Sequence, residues 1–295
     1  MRTVAIGLWA IGAAMLLSLR AFAGEAVDRT LAVQADGLVR IDNVRGRIDV
    51  QGWERSDVSV TGTLDDETES FTFETSGATT TVNVVTPRHL NRGDGSNLLI
   101  HVPQASRVRV NVTSAQLRLV GVRGGTDAKT VSGDVDASDL AGRIDLATVS
   151  GRIDLVRADG PVSFNSVSGD IDADASTEAI KIGTVSGDAT VRSDKPVREI
   201  TLHSVSGDIS ISADLADAAR VEGSTTSGNV SLAVNADAGA VVELRTTSGG
   251  IKNALTNVQA VRGIGGDRAL EFTLGSGAGS IELRSVSGRL ELLPR

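Results

Sequence analysis

Seven serines each stand one residue ahead of a glycine at near-constant spacing: Ser132, Ser150, Ser168, Ser186, Ser206, Ser227 and Ser248. A serine held in one backbone setting could act as a nucleophile, but only beside a base that takes its proton. The chain has three histidines, His89, His101 and His203, and it holds neither a Gly-x-Ser-x-Gly elbow nor a His-Glu-x-x-His pair. The serine series therefore reads as a ladder of hydroxyls serving backbone groups in a bend, and no catalytic residue is assigned.

Aspartate is the second recurring group. One residue after the successive glycines come Asp134, Arg152, Asp170, Asp188, Asp208 and Asn229, and two residues further on come Asp136, Asp154, Asp172, Thr190 and Ser210. If the repeats stack, these form two columns with a rise of about 4.8 Å. Like charges at that distance repel. Arg152 relieves one part of the column, whereas Asp170, Asp188 and Asp208 have no basic neighbour within it. Asp134, Asp136, Asp154, Asp170, Asp172, Asp188 and Asp208 are thus the candidate binding face, suited to a partner with a basic face. The plain alternative is an acidic surface that keeps the protein soluble and unaggregated. A divalent cation is a weaker fit. Nonapeptide calcium solenoids repeat Gly-Gly-x-Gly-x-Asp with ligands in the turn, whereas here one glycine precedes an aspartate on a strand. No metal and no cofactor is assigned. A separate adhesive tripeptide, Arg92-Gly93-Asp94, lies in the turn-rich stretch from Pro87 to Asn97.

What must position these groups is a repeat. Glycine occupies 124, 133, 142, 151, 160, 169 and 187, nine apart, with Glu178 as the break, in a chain holding 33 glycines among 295 residues. The second and fourth residues after each glycine are apolar, as in Ile144/Leu146, Ile153/Leu155 and Val162/Phe164, and their neighbours are mostly polar. That alternation is a strand with one buried face. Nine residues cannot bring the chain back to its start, but eighteen can supply two strands and two bends. Thr-Val-Ser-Gly or Ser-Val-Ser-Gly recurs at 148, 166, 184 and 204, then the spacing lengthens through Gly228 and Gly249, with extra residues near 213–219 and 235–239. A last copy, Ser285 to Gly288, closes the chain. The expected fold is an all-β, repetitive β-solenoid of about 18–21 residues and two strands per coil.

The solenoid begins early and is interrupted. Gly37 and Gly46 are also nine apart, and Asn43–Val50 nearly copies Thr148–Leu155. Trp53 follows and is expected to cap a hydrophobic end; the run 65–69 reads as a solvated turn. Period-two strands over 71–112 predict an N-terminal strand-rich cap. The organisation expected is a signal peptide at 1–23, a cap and first coil at 24–112, and the repeat region at 113–295, with 24–295 one continuous domain. Arg2, an apolar run from Val4 to Leu19 and Ala21-Phe22-Ala23 carry the export signal. The chain is then exported, periplasmic or at the cell surface, and its mature part does not span a membrane. With no cysteine there is no disulfide framework. Formal charge is −8, and removing the two arginines of 1–23 takes it to −10, the wrong sign for a nucleic-acid binder. The oligomeric state is not readable.

Three stretches together carry a family resemblance: Ile41 to Trp53, Ile100-His-Val-Pro103, and the repeated Val-Ser-Gly-Asp. Over about Leu31 to Leu292 the chain resembles the bacterial "putative adhesin" family, a family of unknown function. The resemblance implies an exported β-solenoid with a role in adhesion or in envelope-stress signalling. The preferred reading is a non-catalytic interaction surface for another envelope or surface protein. The alternatives are a scaffold in stress signalling and a β-helical polysaccharide-processing enzyme. Aromatic residues at 2% of the chain, with no tyrosine, count against the enzyme, because sugar faces stack on rings.

Overall fold

The computed structural model describes residues 24–87 and 94–295, and within them every regular element is a β-strand. The export signal and most of the Pro87–Asn97 stretch, including Arg92 and Gly93, lie outside the described residues. The chain winds as a parallel solenoid of two ladders. One runs through Thr126–Lys129, Ile144–Thr148, Val162–Ser166, Ala179–Thr184 and Val197–Ser204. The other runs through Val135–Ser138, Ile153–Asp159, Ile171–Ser176, Ala189–Ser193 and Ile209–Ser212. Ile144 pairs with Val162 and Ile153 with Ile171, one period apart. The inward residues, such as Ile144, Leu146, Ile153, Leu155 and Phe164, are fully buried, so thin aliphatic layers stack into one continuous core.

The two corners of the coil use glycine for different reasons. At the Ser-Gly corner the need is space: a Cβ on Gly151 would lie 1.9 Å from the carbonyl oxygen of Gly133, and one on Gly169 would lie 1.8 Å from that of Gly151. At the opposite corner the need is backbone conformation, with Gly142 at φ 79° and Gly160 at φ 131°. Glu178 breaks the series at this second corner. Thr177 serves there instead: its buried hydroxyl donates to the Ala179 carbonyl at 2.9 Å and accepts from the Ala179 N–H at 3.1 Å. The longer coils keep the ladders intact by bulging. Val197 pairs with Leu215 and Glu199 with Arg220, so the extra residues loop out and Ala218 takes φ 56°.

At both ends, order in space departs from order in sequence. Leu38–Trp53 is one strand crossing both ladders, and it pairs along its length with Arg107–Val120. The intervening residues stack on its other side, as Thr79–Val85 and Ser96–Pro103. Antiparallel strands Ser70–Ser76, Asp57–Thr63 and Ala26–Ala32 continue that end. At the far end Leu215–Thr225 pairs with Gly279–Ser285, and only then comes Ala240–Thr246. The last copy of the repeat therefore does not close the solenoid. It fills the slot between the coil 215–234 and the coil 240–253, and the outer face of Ala240–Thr246 is covered by antiparallel Arg268–Leu274.

Asp65 lies within the expected solvated turn but is buried. Its side chain has no exposed surface and accepts from Arg45 Nε at 3.0 Å and from the Glu67 N–H at 2.9 Å. Burial works against its ionisation, but the Glu67 N–H, the Arg45 guanidinium and the Gly95 N–H outweigh it and hold the carboxyl below the usual aspartate range. Charge composition alone missed this, because the partner is 20 residues upstream.

Candidate interaction surface

The repeat sequence becomes a corner with a fixed division of labour. In Thr148-Val149-Ser150-Gly151 the threonine is buried and its hydroxyl accepts from the Gly151 N–H at 2.8 Å. The same position recurs as Thr130, Thr184, Ser204, Thr225, Thr246 and Ser285, each bonded to the glycine three residues on. The serines point outward and bond the coil beneath, as Ser186 and Ser206 do to the carbonyls of Val167 and Val185, both at 3.1 Å. Ser132, Ser186, Ser206 and Ser248 of the serine column thus bond backbone carbonyls of the adjacent coil. Of the histidines, His203 Nδ1 bonds Ser224 Oγ at 2.9 Å and His101 stacks on Trp53; His89 lies outside the described residues.

The structure brings the aspartates onto one ladder. Asp136, Asp154 and Asp172 are direct neighbours in register. Asp134, Asp170, Asp188 and Asp208 precede the strands of the same ladder. Among the described residues no ion pair reaches Asp170, Asp188 or Asp208, but each carboxylate is engaged by a backbone N–H of the next coil. Asp170 accepts the Asp188 N–H at 3.0 Å, Asp188 accepts the Asp208 N–H at 2.8 Å, and Asp208 accepts both the N–H and the side-chain amide of Asn229. Asp134 accepts the Arg152 N–H in the same way at 2.9 Å. This column is therefore built into the stack as a second ladder of hydrogen bonds.

The neighbouring column is the less relieved one. Burial, with Asp136, Asp172 and Asp134 nearby, raises the Asp154 pKa, while Arg152 at 3.8 Å opposes the shift. Asp172 is met by Arg192 at 3.3 Å, which also reaches Asp174 at 3.4 Å. On the other ladder Arg143 pairs with Asp145 at 2.8 Å, consistent with a mixed face. Among the described residues, no three His, Asp or Glu side chains converge as a group that could hold a metal. Asp94 is exposed, but the rest of the Arg-Gly-Asp tripeptide lies outside the described residues. Trp53 is engaged on both faces: His101 stacks 4.7 Å away and Arg55 lies over the ring at 4.5 Å, while the indole N–H donates to the Asp57 carbonyl at 2.8 Å.

A feature the sequence reading passed over is the valine of the same motif. Val131, Val149, Val167, Val185 and Val205 are each exposed by between 40% and 49% and stand in one column on successive coils. The signal was in the motif itself. A buried threonine followed by a residue of opposite facing puts the valine outside. Beside this ridge runs a shallow groove floored by Ala147, Asn165 and Gly183, with Lys129 and His203 at its ends.

Comparison with solved structures finds long, low-identity matches. A "putative adhesin" from Bacteroides fragilis NCTC 9343 aligns over 91% of this chain and 97% of its own, at 10% identity and TM-score 0.39. A "putative adhesin" from Parabacteroides merdae ATCC 43184 aligns over 72% and 93%, at 12% identity and TM-score 0.34. A "putative cell adhesion protein" from Clostridium sporogenes ATCC 15579 aligns over 92% and 100%, at 9% identity and TM-score 0.25. No curated protein matches the chain. The family match begins on a mid-solenoid strand and stops before the slotted-in last coil: over residues 164–267 the chain matches the Toastrack DUF4097 family, a domain of unknown function.

Proposed function

We propose that this protein is a non-catalytic, exported solenoid that works as an interaction surface in the bacterial envelope, engaging a partner through the acidic ladder. The observation that carries the reading is the column Asp136, Asp154 and Asp172 on adjacent strands, where carboxylates stack in register and burial with neighbouring charge raises the Asp154 pKa. A basic protein face lying along the ladder would relieve that repulsion and gain charge-assisted hydrogen bonds. Ser132, Ser186, Ser206 and Ser248 bond backbone carbonyls and His203 bonds Ser224, which supports binding over catalysis.

The test is capture from envelope extract by wild-type protein and by the triple variant Asp136→Asn, Asp154→Asn, Asp172→Asn. The expected result is a protein captured by the wild type, lost with the variant, and released as salt rises. Equal capture by both proteins would sink the acidic-ladder reading. Glycan-cleaving activity that disappears with the same three substitutions would sink the non-catalytic one.

A further inference from the structure

We propose that the valine ridge and the groove beside it are the two halves of a self-complementary contact, and that a second copy of this chain occupies them. The ridge is five coils long, about 24 Å at the spacing of adjacent strands. An exposed apolar patch of this extent is as large as the largest on a typical monomer, and such patches are often functional. The adjacent groove follows the same coils: Ala147, Asn165 and Gly183 line it without charge, the Asn165 amide lying over Gly183, and Val149, Val167 and Val185 form its wall.

The choice of occupant rests on commensurability. A partner filling the groove must present apolar knobs at the solenoid's own rise. A copy of the chain does so by construction, because ridge and groove are columns of the same coils. Symmetry then fixes the arrangement. A two-fold running along the solenoid axis, placed between ridge and groove, seats each ridge in the other copy's groove and sets each coil opposite its equivalent. A two-fold across the axis would set ridge against ridge and leave both grooves open. In the first arrangement Val149, Val167 and Val185 of one copy lie over Ala147, Asn165 and Gly183 of the other. The outer valines, Val131 and Val205, then meet the aliphatic stem of Lys129 and the ring of His203.

The area sets the strength. A strip about 24 Å long and on the order of 15–20 Å wide hides roughly 400 Å² on each copy, about half the usual share of a stable complex. The dimer is accordingly weak and concentration-dependent. It leaves the acidic ladder free, and it stands or falls separately from the proposed envelope function.

The test is sedimentation velocity on the purified protein from about 1 to 500 µM, a span that covers weak association. The expected result is a shift from monomer to dimer across that range. Val167→Asp should raise the dissociation constant at least about tenfold. Asn165→Trp, which fills the groove and leaves the ridge intact, should do the same. A wild type that stays monomeric throughout, or a dimer indifferent to both substitutions, overturns the proposal. Orientation is read by cross-linking, because the chain has no cysteine of its own. An equimolar mixture of Asn165→Cys and Val167→Cys proteins should oxidise mainly to the mixed dimer. Predominant Val167→Cys self-cross-linking would place ridge on ridge and overturn it.

Discussion

The middle of this solenoid and its two ends are made of the same strands, yet they obey different rules. From Thr126 to Ser212 each coil pairs with the coils before and after it in sequence, and the corner hydroxyls and glycines recur one turn apart. At the ends a stretch of chain runs outward, forms the outermost layer, and returns to fill the slot inside it. The glycine column shows the change directly. Gly228 is followed in space by Gly288, and Gly288 by Gly249. Regular stacking is locally sufficient but never terminates. Termination needs contacts made out of sequence order, and these also keep an open sheet edge from being the last layer.

Two deletions would break the comparison most sharply. Removing residues 279–295 takes away the coil that joins 215–234 to 240–253, and should cost more than about 5 kcal/mol, beyond most single substitutions. Removing one full period, residues 151–168, should leave a shortened but cooperative solenoid. Thermal melts and limited proteolysis distinguish the two, and equal tolerance of both deletions would show that the ends are not special.

Arg45→Ala should cost about 3–5 kcal/mol by leaving the buried Asp65 carboxylate without its cationic partner. The sign with pH follows from the lowered Asp65 pKa. Its contribution is present above the unfolded value near 3.8 and is lost as pH falls through the folded one, so the gap between variant and wild type should close in acid. In the middle, Gly169→Ala should cost about 3 kcal/mol, because the new methyl meets a backbone carbonyl that cannot yield. At the N-terminal end Gly77→Ala should cost only about 1 kcal/mol, since a Cβ there meets open space and the φ of 59° is the sole strain. Comparable losses at the two glycines would contradict the distinction.

Smaller effects sharpen the picture of the repeat. Thr148→Val removes the hydroxyl that the Gly151 N–H donates to and should lower stability by about 1–2 kcal/mol. Asp154→Asn should raise it slightly at neutral pH, by about 0.5 kcal/mol or less given the exposure of the site. Because the folded Asp154 pKa is raised, its destabilising charge appears as pH rises through the carboxylate range. The gain should therefore vanish below pH about 4, and a gain that persists in acid would point to packing instead.

Much of the middle could be read from the sequence because one signal was repeated many times. The glycines marked corners, the apolar pairs marked inward faces, and the aspartates fell on one ladder as the alternation requires. The ends could not be read in this way. Asn229 Oδ1 accepts the N–H of Arg289, 60 residues away, and no period within the chain announces such a pairing. The copy at Ser285–Gly288 looked like one more turn, and only its neighbours show that it sits inside another. The aspartate column shows the opposite failure. Its position was clear, but counting charges hid the backbone N–H groups that hold it.

The slotted-in coil also decides where the polypeptide comes out. Arg295 bonds the Ser193 carbonyl at 2.7 Å, pairs with Asp214 at 3.0 Å, and its N–H reaches the Val234 carbonyl at 2.9 Å. All three partners lie on the flank of the rod. Anything joined after Arg295, a fluorescent reporter or a surface tether, would project sideways from the body and leave both tips uncovered. Arg295 is an address on the side wall, and a tag placed there would report on what approaches the wall.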